Sequence, residues 1–267
     1  MGNKCCFLQN KIKIDPVEEW FNISNYNPIF LGYGSSGNAY KINIEDVYYT
    51  CKKINKQYKN LVSAEIQILK SIKHDKYFPN FYKCVESKNN FNIIYQFIEG
   101  VELFGMIDTL LKTDTPVIIR EISLGLNVLF KYNYIHLDIK PENIIITQIN
   151  PIKLKLIDLA FCRKINESNN FTEMCGTKGY MSPEVVFFNR FFHNTDVWSL
   201  GIIFHVLLTK KTLFKDNSFI QELKHFTKLD DLPLLGRDCF DLLRKMLTKN
   251  PALRISINDV IKHSFIK

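Results

Sequence analysis

From Tyr26 to about Glu99 the apolar positions follow the two-residue period of strands. Asn38 to Asn43 and Val47 to Ile54 alternate or run apolar with beta-branched and aromatic residues, which predicts paired strands. Leu61, Ile66, Leu69 and Ile72 recur at helical spacing and predict one helix interrupting the sheet. Phe91 to Ile98 closes the region as another apolar strand. After Gly100 the period lengthens. Val117, Ile118, Ile122, Leu126 and Leu129 form a broad apolar face from Pro116 to Tyr132, and Pro116 suits a first helical turn. Short strands from Ile144 to Thr147 and Lys153 to Ile157 flank the turn signal Asn150-Pro151. Beyond Glu184 the segments read mainly as helices, ending near His263. The longest apolar stretch, Val197 to Leu208, contains Ser199, Gly201 and His205 and is too short to span a bilayer, so it predicts a buried helix.

This order predicts an α+β fold: a small antiparallel-sheet lobe over about 26–99 and a larger, mainly helical lobe over about 100–267. The first 25 residues lack the patterning of a core element and read as a tail. With 46% hydrophobic residues in 267, the chain can bury one large core or two smaller ones. A charged fraction of 23% argues against wholesale disorder.

The net charge of +8 points to acidic partners such as nucleotide phosphates or anionic lipid. No run of lysines interleaved with aromatics reads as a nucleic-acid platform, so no nucleic-acid partner is expected. Seven cysteines, an odd number with no C-x-x-C pair, suggest reduced thiols and a cytoplasmic setting. No apolar core follows the first residues, so no secretory signal is expected. Removal of Met1 would instead expose Gly2 for myristoylation, with Cys5 and Cys6 beside it for palmitate, although the usual pattern prefers Ser or Thr where Cys6 stands. One acyl chain holds a protein only marginally. A second chain, or Lys4, Lys11 and Lys13 against anionic lipid, would secure it to the cytoplasmic face of a membrane.

Candidate chemistry enters with Leu31-Gly32-Tyr33-Gly34-Ser35-Ser36-Gly37-Asn38-Ala39-Tyr40. Its G-x-G-x-x-G spacing occurs in dinucleotide folds and in ordinary turns, but the dinucleotide version must open a helix. Here the chain continues as a strand, which favours a hairpin folded over phosphates with its N–H groups aimed at oxygen. Further on, Ile135-His136-Leu137-Asp138-Ile139-Lys140-Pro141-Glu142-Asn143 sets an acid, a lysine and an amide two and then three residues apart. Phosphoryl transfer uses such a set: a carboxylate to orient a hydroxyl, a cation for the moving phosphate and an amide oxygen for a metal.

These motifs resemble those of eukaryotic-type serine/threonine protein kinases. The resemblance runs in the family's order from about Asn27 to Lys267. It implies a bilobal fold that binds ATP with Mg2+, or Mn2+, and phosphorylates protein hydroxyls. Leu31, Gly32, Tyr33, Gly34, Ser35, Ser36, Gly37 and Ala39 would form the flap over ATP. Tyr49-Thr50-Cys51-Lys52 resembles the strand that carries the phosphate-binding lysine, here Lys52, with Glu65 as its helical partner. Tyr95 would border the adenine pocket, the backbone of Gln96 to Ile98 would bond the base, and Glu102 would face ribose or a basic substrate residue. Asp138 would orient the substrate hydroxyl and Lys140 would offset charge on the moving phosphoryl. Asn143 and Asp158, the latter in Asp158-Leu159-Ala160, would hold metal. Thr177 and Glu184, in Gly176-Thr177 and Ser182-Pro183-Glu184, would shape the substrate platform. Glu184 would pair with Arg254, and Asp196 would brace the catalytic loop.

The departures are Thr50, Leu137, Leu159 and Ala160. They leave open a second reading, a pseudokinase that binds nucleotide or partners without catalysis. A small-molecule kinase is disfavoured by the segment from Gly176 to Glu184. Leu137 stands where the family usually has an arginine that docks an activation-loop phosphate. Activity is therefore expected not to depend strongly on phosphorylating Thr172 or Ser168, with Arg163 and Lys164 as partial substitutes. Val101-Glu102-Leu103-Phe104 and Cys175-Gly176-Thr177 look most like the calcium/calmodulin-dependent kinase group. No EF-hand loop is present, so direct calcium control is not expected. Glu102 and Glu142 would favour basic residues before the target hydroxyl.

Overall fold

Strand pairing begins where the alternation is strongest. The computed structural model describes residues 22–34, 37–165, 175–227, 229 and 236–267. Strands β1 (Ile29–Gly34), β2 (Gly37–Ile44) and β3 (Val47–Asn55) form consecutive antiparallel pairs. Helix α1 (Lys59–Ser71) follows, then β4 (Phe81–Glu86) and β5 (Asn90–Gln96), which complete a sheet of order β1-β2-β3-β5-β4.

Register decides which side chains reach the inner face. Ala39 pairs with Lys52 and Lys52 with Ile93, while Thr50 pairs with Tyr95. The two-residue period therefore aligns Thr50, Lys52 and Ile54 on one face, and turns Cys51 to the outer cluster with Ile42, Val85 and Ile94. Ile23 and Tyr26 pack on that outer cluster from a short turn, so part of the expected tail belongs to the fold. Helix α1 lies against β4 and β5 and buries Val62, Glu65, Ile66, Ile68 and Leu69. Val62 thus replaces the half-buried Leu61 of the expected face, which began one residue too early in phase. Strand β4 has no clean alternation because its consecutive Cys84 and Val85 serve opposite faces, both buried.

A short strand β6 (Val101–Glu102) and helix α2 (Leu103–Met106) lead into α3 (Thr115–Lys131), which carries proline in its first turn. Ile118, Ile119, Ile122, Leu126 and Leu129 of α3 are buried, whereas Val117, expected on that face, is exposed. After β7 (Tyr134–Ile135), strands β8 (Ile144–Ile149) and β9 (Ile152–Leu156) form a hairpin that turns at Asn150-Pro151. β6 joins this hairpin through β8, opposing Glu102 to Ile145. β10 (Arg163–Lys164) pairs with β7.

Helices α4 (Pro183–Phe188), α5 (Thr195–Thr209), α6 (Phe219–His225), α7 (Arg237–Met246) and α8 (Ile257–Lys262) build the rest. α5 is buried from Thr195 through Leu208, as expected of a helix apolar on every side. Gly201 lets it approach Leu247 and Met246, because a Cβ there would lie 2.9 Å from a Leu247 methyl. One cluster of buried side chains runs from Ile54 and α1 through α3 and α5 to Ile266. No helix among the described residues is long and apolar enough to cross a membrane. The result is a small sheet lobe joined to a helical lobe, the bilobal arrangement expected from the sequence.

Candidate active site

The cleft between the sheet and the helical lobe holds a cavity of about 500 Å³. Leu31, Gly32, Tyr33, Gly34 and Ala39 line it from β1 and β2, and Lys52 and Tyr95 from the inner sheet face. Glu102, Lys140, Asn143 and Asp158 line it from below, so residues spread over more than a hundred positions meet around one space. Ser35 and Ser36 lie outside the described residues. Gln96 is not among the lining residues: its N–H donates to the Asn80 carbonyl at 2.8 Å and so is not available to a base, and its side-chain oxygen accepts from Asn80. The connecting segment contributes Phe97 and Ile98 instead. Ile145 and Ile157, not singled out from sequence, also line the cavity. Their signal was available: Ile157 precedes Asp158, and Ile145 sits at the apolar start of the strand after Asn143.

The two flap glycines that matter most are not equivalent. A Cβ at Gly37 would run into the Lys53 carbonyl, whereas one at Gly32 would meet nothing within 4 Å. Gly37→Ala is therefore expected to cost about 1–3 kcal/mol of stability and Gly32→Ala no more than about 0.5 kcal/mol. Thermal unfolding of the two variants checks this; equal melting temperatures would contradict it.

Lys52 is the electrostatic centre of the upper site. Its Nζ lies 3.1 and 3.2 Å from the Glu65 carboxylate and 2.5 Å from Asp158 Oδ1. Burial opposes its positive charge, but Asp158 and then Glu65 outweigh burial and hold its pKa above the usual lysine value. Burial likewise opposes the Asp158 carboxylate, yet Lys52 prevails and holds it below the usual range. Glu65 is pushed up, chiefly by burial, against the pull of Lys52. Tyr95, fully inside this cluster, is pushed up by burial.

The lower site is a loop held from behind. Asp196 on α5 accepts the N–H of His136 at 2.7 Å and of Leu137 at 2.8 Å. Those bonds fix a turn in which Leu137 has φ +68°, a conformation that costs a non-glycine residue on the order of 1–3 kcal/mol. Burial pushes the Asp196 carboxyl up, and His136 and the two N–H donors pull against it. The Leu137 side chain enters the core of the helical lobe. Gly176, at φ +109°, passes so close to the Leu137 carbonyl that a Cβ would lie 2.7 Å from it.

The turn presents Asp138 to a ring of donors. Thr177 Oγ1 donates to Asp138 Oδ1 at 2.6 Å, and Asn143 Nδ2 donates to Oδ2 at 3.0 Å and to the Asp138 carbonyl at 2.8 Å. Lys140 Nζ donates to Thr177 Oγ1 at 2.9 Å and lies 3.6 Å from Asp138 Oδ2. Because the Asn143 amide nitrogen is spent on Asp138, its oxygen is the atom left for a cation.

Among the described residues, no group of three or more His, Cys, Asp or Glu side chains could hold a metal by itself. The Asn143 amide oxygen and the Asp158 carboxylate bordering one cavity still suit a hard divalent ion. Such an ion takes one or two protein oxygens and completes its shell with phosphate and water.

Glu184 and Arg254 meet in a fully formed pair. Arg254 donates from Nη1 to Glu184 Oε1 at 2.7 Å and from Nη2 to Oε2 at 2.8 Å. Arg163, expected as a partial phosphate anchor, donates from Nη1 to the carbonyls of Ala160 and Cys162 at 3.1 and 2.9 Å. Gly2, Cys5, Cys6, Ser168 and Thr172 lie outside the described residues.

Residues 28–266 match the model of the protein kinase domain. The chain is similar to serine/threonine-protein kinase ATG1b of Arabidopsis thaliana, 30% identical over 80% of this chain and 31% of that protein. It is similar to serine/threonine-protein kinase ULK3 of Homo sapiens, 30% identical over 80% of this chain and 47% of the relative. It also resembles myosin light chain kinase 2 of Mus musculus, 28% identical over 80% and 36% respectively. The matched region thus spans roughly a third to a half of these relatives.

Proposed function

The chain belongs to the protein kinase family, and from that premise we propose that it transfers the terminal phosphate of ATP to serine and threonine hydroxyls of proteins. One observation carries the reading: the Lys52–Asp158 pair, Lys140 and Asn143 line one cavity, and Asn143 also bonds the acceptor carboxylate of Asp138 just behind it. Departures at Thr50, Leu137, Leu159 and Ala160 remove none of these groups.

Each residue's work follows from its partners. Lys52, steadied by Glu65, binds phosphate oxygens, while Gly32, Gly34 and Gly37 let backbone N–H groups approach them. Asn143 and Asp158 would hold a divalent ion, which would neutralise charge on the phosphates. Asp138 accepts the hydrogen bond of the substrate hydroxyl and aligns its oxygen with the terminal phosphorus. Thr177 occupies that carboxylate now, so a substrate hydroxyl would share or displace its bond. Lys140 balances charge as the phosphoryl moves.

Two acids support a preference for basic residues near the target. Glu142 Oε2 is buried with no hydrogen-bond partner among the described residues. Glu102 is pushed above the usual carboxylate range by burial and then by Glu142, with Lys140 opposing. A cation beside them would relieve both. Phosphoamino-acid analysis of a generic basic protein incubated with the enzyme, ATP and Mg2+ or Mn2+ tests the assignment. Phosphoserine or phosphothreonine is expected; label on tyrosine alone would overturn it. A peptide array indifferent to basic positions would remove the preference.

The burial of Leu137, which offers no donor to a phosphate, supports activity without a phosphate switch. Thr172→Ala should change kcat/KM less than about threefold, under 0.7 kcal/mol by the tenfold-per-1.36 rule. Steady-state rates check this, and a large loss reversed by Thr172→Glu would contradict it. Acylation at Gly2, Cys5 or Cys6 would place the enzyme on the cytoplasmic face of a membrane. Mass spectrometry of the native N-terminus tests it, and Gly2, Cys5 and Cys6 all unmodified would end that proposal.

A further inference from the structure

The helical lobe carries a second large hollow, of about 940 Å³, that shares no lining residue with the nucleotide cavity. It lies between α4, α6 and the turn at Lys249, Asn250 and Pro251. Its walls are bulky and wet. Phe188 is 70% exposed, Ile220 50% and Phe192 38%, an apolar patch that a solvated surface gains nothing by keeping open.

Its charge is one-sided. Arg190, Lys224 and Lys249 line it, and none of the three forms an ion pair among the described residues. The only acid on the lining among the described residues, Glu184, has both oxygens committed to Arg254 and one also to Thr195. Lys249 is held in place by donating to the carbonyls of Lys224 and Phe226 at 2.9 and 3.1 Å, which fixes a cation over the apolar floor. Arg190 is anchored at its backbone by the Glu184 carbonyl.

From this combination we infer that the hollow is a docking site for an acidic segment of a partner protein, with leucine or phenylalanine side chains interleaved among carboxylates. The large side chains would cover Phe188, Phe192 and Ile220, and the carboxylates would meet the three cations at the rim. Charge complementarity sets the choice, since an apolar segment alone would leave three cations facing it unpaired. α4 begins directly after the segment containing Thr177, so a partner held here would be tethered beside the site of transfer. Tethering raises the effective concentration of a nearby hydroxyl without any new contact at the reacting atoms.

The test uses the full chain and a fluorescent peptide alternating glutamate with leucine and phenylalanine, read by anisotropy. Controls are the same peptide with lysine for glutamate, and one with serine for leucine and phenylalanine. Saturable binding of the first peptide only is expected, weakening as salt rises. Arg190→Glu with Lys224→Glu, and separately Phe188→Ser with Ile220→Ser, should each weaken it about tenfold or more, or 1.4 kcal/mol. Activity on a short peptide substrate should stay unchanged, which shows that the variants are folded. Absence of binding by the acidic peptide overturns the inference, as does binding that the variants leave intact. Two other outcomes also overturn it by naming a different occupant. One is concentration-dependent self-association lost in the same variants. The other is binding of phosphatidylserine vesicles lost in them while the peptide does not bind.

Discussion

Replacing Asp138 with asparagine is expected to lower kcat by about 10²–10⁴-fold while leaving ATP affinity within about threefold. Asp138 does not line the nucleotide cavity, so binding of ATP has no direct claim on it. Its oxygens instead accept from Thr177 at 2.6 Å and Asn143 at 3.0 Å, and the carboxylate is 2% exposed as a residue. Asparagine keeps the size but loses the charge and turns one acceptor into a donor. That nitrogen would face either Asn143 Nδ2 or the Thr177 hydroxyl, so the ring of donors around the site no longer has an acceptor for each. The substrate hydroxyl loses the group that orients it. A nucleotide-binding titration beside steady-state rates separates the two effects. A fall in kcat of less than about threefold would show that Asp138 does not act in the step.

Arg254→Ala should produce the largest loss of stability, about 3–5 kcal/mol. Arg254 and Glu184 are 4% and 3% exposed, and the guanidinium also donates to the carbonyls of Thr248, Asn194 and Lys249. It lies 5.3 Å from the Trp198 ring centroid, so the change strips a packing contact as well. Removing the arginine leaves a buried carboxylate with only Thr195 Oγ1 as a side-chain donor among the described residues. For a domain of this size the melting temperature should fall by about 6–20 °C. The double variant Glu184→Leu/Arg254→Leu should melt above Arg254→Leu alone, because it buries no unpaired charge. Melting of Arg254→Ala within about 2 °C of the wild type would contradict this account.

What could be read from sequence was what periodicity and motif order carry. β2, β3 and α5 were legible because alternation, or apolarity on every side, leaves few alternatives at those lengths. The chemistry of Lys52, Asp138, Asn143 and Asp158 was legible through order and spacing, since each is an ordinary residue taken singly. β4 escaped because two adjacent residues serve opposite buried faces. The faces of α1 and α3 were misjudged by one residue each, Leu61 for Val62 and Val117 for Ile119, since the helical period alone does not fix which edge of an apolar stripe faces inward. The engagement of Gln96 with Asn80 depends on a neighbour sixteen positions away that no local pattern announces. Arg163 was expected to substitute partly as a phosphate anchor, and only the fold shows that its Nη1 lies in reach of two carbonyls. The hollow beside α4 and α6 joins residues from three separate segments and had no sequence signature.

The most direct test of the central claim is transfer of label from terminally labelled ATP to a generic basic protein, with Mg2+ or Mn2+, run on wild type beside Asp138→Asn. The account predicts label on serine or threonine with wild type and at least about a hundredfold less with the variant. Wild type and Asp138→Asn equally silent with both metals would contradict it.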